Sequence, residues 1–381
     1  MIIAEILFWL ALLFILYVYG GYVLFTLPFK RKQVNADRYL RPKCTLLIAA
    51  YNEETIIAEK IRNSLELEYP QNLLEIVVVA DGSTDKTSEI VSAYPSVRLF
   101  YQPERKGKLA AIQRVLPTLK SEIVVFTDAN ALLNKTALAN MVPHFSDPKV
   151  GAVSGEKKVR SLPATTGTEG IYWKYESWLK KKDARFYSIA GAAGELLAVR
   201  SSLYTVLEEN LVLDDFIQSM LICNQGYRVE YEPSAFASEL PSPTLQFEFV
   251  RKMRIAAGGF QAVNYLKNKM DLKKYPRINF LYYSHRVFRW TAAPFCFFAL
   301  LPLNVWMALV HPGFFYKTIL VIQACIYLIA ILGIKFSKLG KSPVFIPVVH
   351  YFFMMQIAAI SGFVQYKRNE QTAIWEKIPR I

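Results

Sequence analysis

Val124-Val125-Phe126-Thr127-Asp128-Ala129-Asn130-Ala131 is the segment around which the chain is organised. Its β-branched and aromatic run, preceded by polar Ser121 and Glu122, predicts a buried parallel strand. The strand ends on Asp128 and Asn130, at the carboxyl edge where open α/β sheets bind ligands. Two residues apart in a loop, both side chains can reach one hard cation that holds a diphosphate through oxygen ligands. An ordinary strand-ending turn favours the same two residues.

Upstream, apolar strands alternate with polar, helix-like stretches from Cys44 to about Tyr231. Strands are expected at Cys44 to Ala50, Leu74 to Ala80, Val97 to Tyr101 and Ile123 to Thr127. Helices are expected at Glu53 to Leu67, Asp85 to Ala93 and Lys108 to Leu116. This alternation predicts an α/β fold, a Rossmann-like, doubly wound, mostly parallel sheet. Three strands end in polar loops: Ala49-Ala50-Tyr51-Asn52-Glu53-Glu54, Val79-Ala80-Asp81-Gly82-Ser83-Thr84-Asp85 and Thr127-Asp128-Ala129-Asn130. In a parallel sheet they converge on one edge and build a single pocket. Gly82 lets backbone approach a ligand closely, and Asp85 or Ser83 caps the next helix.

The 381 residues are 53% hydrophobic, with the apolar residues concentrated at the two ends, which indicates a membrane protein with a soluble insert. The formal net charge is +14, yet no compact Lys/Arg run of the kind nucleic acid needs appears away from the apolar segments. Positive-inside topology and attraction to anionic membrane lipids account for the charge. Cys44, Cys223, Cys296 and Cys325 are far apart, so neither a disulfide framework nor a zinc spacing follows. The four histidines are equally scattered.

Ala50-Tyr51-Asn52-Glu53-Glu54, Ala80-Asp81-Gly82-Ser83-Thr84-Asp85, Gly107-Lys108 and Thr127-Asp128-Ala129-Asn130 together resemble family 2 glycosyltransferases of the GT-A fold. The likeness continues through Gly191-Ala192-Ala193-Gly194, Leu213-Asp214-Asp215 with Gly226-Tyr227, and Arg251-Lys252-Met253-Arg254, and covers most of the chain. Membrane members of that family include cellulose, chitin and hyaluronan synthases. The resemblance implies inverting sugar transfer from a nucleotide donor, expected here to be UDP-linked, to a glycan or lipid-linked acceptor. It places Tyr51, Glu53 and Asp81 at the nucleoside, with Asp81 accepting from the base and Glu53 near the ribose. Lys108 falls beside the nucleotide. Asp128 and Asn130 stand where the family has a DxD motif for Mg²⁺ or Mn²⁺; here the second ligand is neutral, so Asp128 carries most of the metal.

Inverting transfer needs a base for the acceptor hydroxyl on one face of the sugar and a cation for the departing diphosphate on the other. A second carboxylate must therefore sit apart from Asp128. Asp214 and Asp215 offer it at the start of a helix whose Ile217, Met220 and Leu221 pack inward. Paired acids at a helix start also serve as caps and macrodipole partners. The family resemblance makes Asp215 the base and Asp214 its neighbour. Gly191 and Gly194 permit close backbone approach and suit an acceptor or donor-sugar loop, with Glu195 either reaching a sugar hydroxyl or sitting in a surface turn. Tyr172, Trp173, Tyr175 and Trp178 read as a membrane-interface belt or core.

Processive relatives carry Gln-x-x-Arg-Trp to position the acceptor and brace the diphosphate. Aligned on arginine, this chain has Glu248 and Lys252 about Arg251, so Arg251 is expected on the diphosphate and the stacking surface is missing; Arg251, Lys252 and Arg254 equally suit an interfacial amphipathic helix holding lipid headgroups. Single transfer and processive synthesis both stay open. So do a nucleotidyltransferase, whose glycine- and arginine-rich first loop is not found in Ile48 to Glu54, and a non-catalytic membrane scaffold.

The expected organisation is an N-terminal transmembrane helix in 1–30, a GT-A domain in 42–245, interfacial helices in 246–290 and a C-terminal region in 291–381 with about three spans and a basic tail. Ile6 to Leu27 is about 22 residues, long enough to cross a bilayer. It lacks a basic start and an obvious cleavage site, so it reads as an anchor. Lys30, Arg31, Lys32, Arg38, Arg41 and Lys43 place the following domain in the cytoplasm, at the inner (plasma) membrane. Further spans are expected at Thr291 to Val310, Phe315 to Ile334 and Val344 to Val364, with Lys335, Lys338 and Lys341 in a cytoplasmic loop. Three crossings leave the tail outside, whereas Lys367, Arg368, Lys377 and Arg380 favour the inside.

Overall fold

The computed structural model describes residues 2–29, 37, 39–160, 168–271, 273–339, 343 and 345–372. Lys30, Arg31, Lys32, Arg38, Lys341, Val344, Lys377 and Arg380 lie outside them, as do the side chains of Lys335 and Lys338.

The chain opens with α1 (Ile2–Leu16), which continues through a wide turn at Tyr17–Gly21 into α2 (Tyr22–Thr26). The alternating unit then runs β1 (Cys44–Ala50), α3 (Ile57–Leu65), β2 (Leu74–Asp81), α4 (Thr87–Ser92), β3 (Val97–Gln102), α5 (Lys108–Val115) and β4 (Ile123–Asp128). It continues with β5 (Leu132–Leu133), α6 (Ala137–Met141), β6 (Val150–Val159), α7 (Thr168–Phe186), β7 (Leu197–Arg200), α8 (Asp214–Asn224) and β8 (Arg228–Glu239). α9 (Leu245–Leu266), α10 (Pro276–Leu281) and α11 (Phe288–Trp290) lead into α12 (Ala292–Val310), α13 (Phe314–Leu339) and α14 (Phe345–Lys367).

The eight strands lie in the order β3-β2-β1-β4-β7-β6-β8-β5. The first four are parallel, as the alternation predicted. β7 runs antiparallel to both β4 and β6, which makes the sheet mixed on that side. Both faces are covered, which is why the strands read as continuous apolar runs. Leu47, Val77, Val79, Val124 and Phe126 pack toward α5, α8 and α9, whereas Leu46, Ile48, Val78 and Val125 pack toward α3 and α6.

Register decides where the loops meet. Ala50 pairs with Ala80 and Ala49 with Asp128, so β1, β2 and β4 end at one level. The chain winds from β1 through β2 to β3 on one side, then crosses back to place β4 on the other side of β1. The crevice between β1 and β4 is therefore the topological switch point, where such sheets bind ligands.

Four helices among the described residues are long and apolar enough to cross a membrane: Ile2–Thr26, Ala292–Val310, Phe314–Ile334 and Phe345–Lys367. α1 packs on α12 and α13 through Phe8, Leu300, Met307 and Tyr316. α14 lies against α9 closely enough that a Cβ on Gly362 would sit 2.6 Å from the Met253 carbonyl oxygen. The Tyr351 hydroxyl on α14 donates to Glu248 on α9 at 2.7 Å, so α14 directly braces α9.

Candidate active site

The loops after β1 and β2 are stitched together. Asn52, in the left-handed region at φ 53°, accepts from the Thr84 amide at 2.8 Å and donates its own amide to the Ser83 hydroxyl at 3.1 Å. The Glu53 amide donates to Thr87 Oγ1 at 2.8 Å and the Glu54 amide to Asp85 at 3.1 Å. These bonds begin the turn earlier than the helix, so α3 starts at Ile57 rather than at Glu53. Asp81 is buried and accepts from the amides of Lys106 (3.1 Å) and Gly107 (2.7 Å). Its carboxylate thus holds the loop before α5. Gly82 has φ 69°, and a Cβ there would lie 2.6 Å from Arg105 Cβ. The Arg105 guanidinium stacks 3.6 Å above the Tyr51 ring, giving one wall of the pocket a flat face of the kind a nucleobase packs on.

Beneath this wall, Lys108 at the start of α5 donates to Asp128 Oδ1 at 2.5 Å. Burial acts to lower Lys108, but Asp128, Asp214 and Asp215 outweigh it and hold the ammonium well above the ordinary lysine range. The structure therefore brings Lys108, Asp128, Asp214 and Asp215 into one cluster, although Asp128 and Asp215 stand 87 positions apart in the sequence. Asp128 and Asn130 are partly exposed between buried Thr127, Ala129 and Ala131, so both side chains leave the turn on the same side. Both offer hard oxygen donors, and the ammonium on Asp128 marks the position as one that favours positive charge. These residues fit a divalent cation. Among the described residues no group of three or more His, Cys, Asp or Glu side chains gathers as ligands, so such a cation would take the rest of its shell from a diphosphate and water.

Asp215 is pushed up to about 7, first by burial and then by the adjacent Asp214 carboxylate, with Lys108 opposing. Asp214 is raised too, by burial and against Lys108. Asp215 Oδ1 accepts from the Phe216 amide at 2.7 Å, which orients the carboxyl at the helix start. Ile217 and Met220 are fully buried and Leu221 partly, anchoring α8 in the core.

Gly191 and Gly194 do permit a close approach, but to α8 rather than to open space. A Cβ on Gly194 would lie 2.8 Å from Asp215 Oδ2, and one on Gly191, at φ 91°, only 2.3 Å from the Phe216 ring. Glu195 is likewise engaged within the protein. It pairs with Lys157 from β6, whose ammonium also holds Glu239 at 2.8 Å. Burial raises Glu195 and Lys157 lowers it further, leaving it at about 2. A sugar hydroxyl would meet this ionised network rather than a lone glutamate. Gly194→Ala is expected to lower kcat/KM by about 10- to 100-fold through displacement of Asp215, with folding retained. Gly170→Ala, which meets nothing within 4 Å, is the matched control in a turnover assay.

The family profile described as glycosyl transferase family 2 matches residues 45–206, the segment that supplies Tyr51, Asp81, Lys108, Asp128 and Glu195. These residues are a family 2 glycosyltransferase domain. The poly-beta-1,6-N-acetyl-D-glucosamine synthase of Staphylococcus aureus (strain COL) is 27% identical over 263 residues, covering 65% of this chain. The chain spans 61% of that relative's length. The probable glycosyltransferase YdaM of Bacillus subtilis (strain 168) is 24% identical, covering 98% of this chain and 96% of its own. A solved mannosyltransferase from Pyrobaculum calidifontis, PcManGT in complex with GDP-Man and Mn²⁺, superposes with TM-score 0.74 at 23% identity over 97% of this chain and 100% of its own, and so shares the fold.

Beyond the glycosyltransferase domain, α9 gives Arg251 a partner within the protein. The Arg251 guanidinium grips Glu248 with two bonds, Nε at 2.8 Å and a terminal nitrogen at 2.9 Å. Glu248 also accepts from Ser242 at 2.8 Å and from Tyr351. Burial acts to raise Glu248, yet Arg251 and Lys252 hold it at about 2. Arg251 is therefore built into an ion pair with Glu248, and Arg254 is the arginine of this helix whose charge couples to Asp214. Where processive relatives have tryptophan, the Lys252 ammonium lies 4.0 Å over Tyr172 and 5.4 Å over Trp173. Aromatic surface is thus present, supplied by α7 and covered by a cation.

Proposed function

We propose that this protein is an inverting glycosyltransferase that moves a sugar from a UDP-linked donor to a glycan or lipid-linked acceptor in polysaccharide or glycolipid assembly. The observation that carries the reading is the cluster of Lys108, Asp128, Asp214 and Asp215 at the β1/β4 crevice, below a wall of Tyr51 and Arg105.

In this reading Tyr51, Glu53 and Asp81 hold the nucleoside, and Lys108 faces the diphosphate. Asp215 takes the proton from the acceptor hydroxyl as that oxygen forms its bond to the anomeric carbon; the bond from that carbon to the diphosphate breaks, and the nucleoside diphosphate leaves with the electron pair. A base poised near neutrality suits this step. Asp214 keeps the Asp215 pKa high, and Lys108 offsets developing negative charge. Mg²⁺ or Mn²⁺ held by Asp128 and Asn130, when bound, would supply further charge neutralisation at the diphosphate.

A small cavity of about 60 Å³ lies between the segment before α12 and α14, lined by Tyr172, Lys252, Arg286, Arg289 and Trp290 among others. The Trp290 ring meets Phe216 at 5.0 Å, so this cavity backs directly onto the helix that carries Asp215. In this reading the acceptor arrives past that cavity from the membrane side, and the sheet domain lies in the cytoplasm at the inner membrane, as the basic residues after α2 favour. The staphylococcal relative is by name a polymer synthase, which keeps processive synthesis as the second reading; the length of the product distinguishes the two.

The test is nucleoside diphosphate release by the purified full chain with UDP- and GDP-sugars, membrane extract supplying the acceptor. Chelation by EDTA is expected to abolish release and added Mn²⁺ or Mg²⁺ to restore it. Undiminished release in EDTA would assign the leaving-group charge to Lys108 instead, and silence with every donor would oppose the enzymatic reading.

A further inference from the structure

α3 packs behind the Asp128 turn, on the side away from the pocket. Its buried stripe is Ile57, Lys60, Ile61 and Ser64, spaced as one helix face. A lysine in such a stripe is costly unless its ammonium is fully engaged. Lys60 is wholly buried, and Nζ donates to Thr127 Oγ1 at 3.0 Å and to the Ala131 carbonyl. Those acceptors are the residues immediately before Asp128 and immediately after Asn130.

The turn itself closes with the Ala131 amide donating to the Asp128 carbonyl at 3.2 Å. One turn along α3, Asn63 completes the bracket: its side chain donates to the Leu133 carbonyl and accepts from the Leu133 amide, both at 2.8 Å. Thr127, Ala129 and Ala131 point inward as a result, and Asp128 and Asn130 point outward together. Without Lys60, the Ala131 carbonyl and the Thr127 hydroxyl would be buried polar groups short of a partner, and the turn would be under pressure to rotate toward one.

We propose that Lys60 is a positioning residue that ties the two ends of the Asp128–Asn130 turn together and so aims both ligands at one cation. This rests on the reading above, in which Asp128 and Asn130 hold the donor diphosphate through a divalent metal. Outer-shell groups that orient metal ligands are typically worth 10- to 100-fold in affinity.

The experiment follows Mn²⁺ binding by the loss of its free EPR signal, in the full-length protein in detergent, with UDP and in parallel with GDP. Lys60→Met keeps the length and apolar bulk of the side chain but removes the donors. It is expected to weaken Mn²⁺ binding by about 10- to 100-fold. Thr127→Val removes one acceptor only and is expected to give a smaller loss, with the double variant no weaker than Lys60→Met, because both report one contact. Asp128→Asn calibrates the reading beneath the proposal. Should Asp128→Asn abolish binding while Lys60→Met and Thr127→Val bind like wild type, Lys60 is merely structural and the proposal falls. Should Asp128→Asn have no effect, or the wild type bind Mn²⁺ with neither nucleotide, the metal reading itself fails and Lys60 with it. If Lys60→Met does not fold, Thr127→Val decides.

Discussion

Asp215→Asn is expected to lower kcat by about 10²- to 10⁴-fold while leaving nucleotide binding near the wild-type level, because a general base acts only as the acceptor proton moves. In the wild type, activity should rise with pH through a limb centred near 7, since below it Asp215 holds a proton and cannot accept another. Asp214→Asn should shift that limb to lower pH, because the Asp214 charge is one of the causes of the elevation. A limb unmoved by Asp214→Asn would place the titrating group elsewhere.

The same substitution should stabilise the protein at alkaline pH. The folded Asp215 carboxyl keeps its proton to about 7, whereas an unfolded aspartate releases it near 4, so folding binds the extra proton between those values. The stabilising contribution is complete below the unfolded pKa and is lost as pH rises through the folded one. Asparagine carries no such proton, so Asp215→Asn should melt higher than wild type at pH 8, with the gain shrinking toward pH 4. A variant both inactive and less stable at pH 8 would mean that Asp215 is structural.

Glu176→Gln is expected to be among the most destabilising single changes in the chain, at about 3–5 kcal/mol, because it leaves buried arginines without their counter-charge. Glu176 on α7 is 2% exposed and holds Arg289 at 2.6 Å and Arg286 at 3.2 Å, with His285 at 3.4 Å. His285 in turn bonds Asp183 on the same helix. This cluster joins α7 of the sheet domain to the segment that leads into α12. Burial acts to raise Glu176, but Arg289 and Arg286 bring it well below the ordinary glutamate range. With a depressed folded pKa, its stabilisation is present above the unfolded value near 4.5 and is lost as pH falls through the folded one. Thermal melts in detergent should therefore separate wild type from Glu176→Gln widely at pH 7 and progressively less below about 4. Equal melting temperatures at pH 7 would show that the two arginines find other partners.

The amino-acid sequence determined the parallel half of the sheet by itself. Burial on both faces demands apolar runs, and β1, β2 and β4 carry them, each closed by polar residues that the register brings to one level. The apolar helices were legible for a similar reason, since crossing hydrocarbon requires about 20 apolar residues in a row. Lys60 was not singled out in the sequence; its place between Ile57 and Ile61 on one face of α3 is the signal that pointed to it.

What each charged group faces was decided only in three dimensions. Helical spacing allows Arg251 to pair with Glu248 three residues earlier, but it equally allows the guanidinium to reach a phosphate. In the fold Arg251 grips Glu248, which is buried and held also by Tyr351, 103 residues further along the chain. Lys157 and Lys158 are indistinguishable as neighbours on a strand; an irregularity in the β6/β8 register at Gly155/Glu156 leaves Lys157 inside, on Glu195 and Glu239. Gly191 and Gly194 announce a close approach without naming its partner, which proves to be the start of the helix that carries Asp215. Local sequence determines which conformations and burial patterns are affordable, because those depend on neighbours along the chain. Pairing of charges depends on neighbours through space, and only the packed sheet, α8 and the membrane helices bring those together.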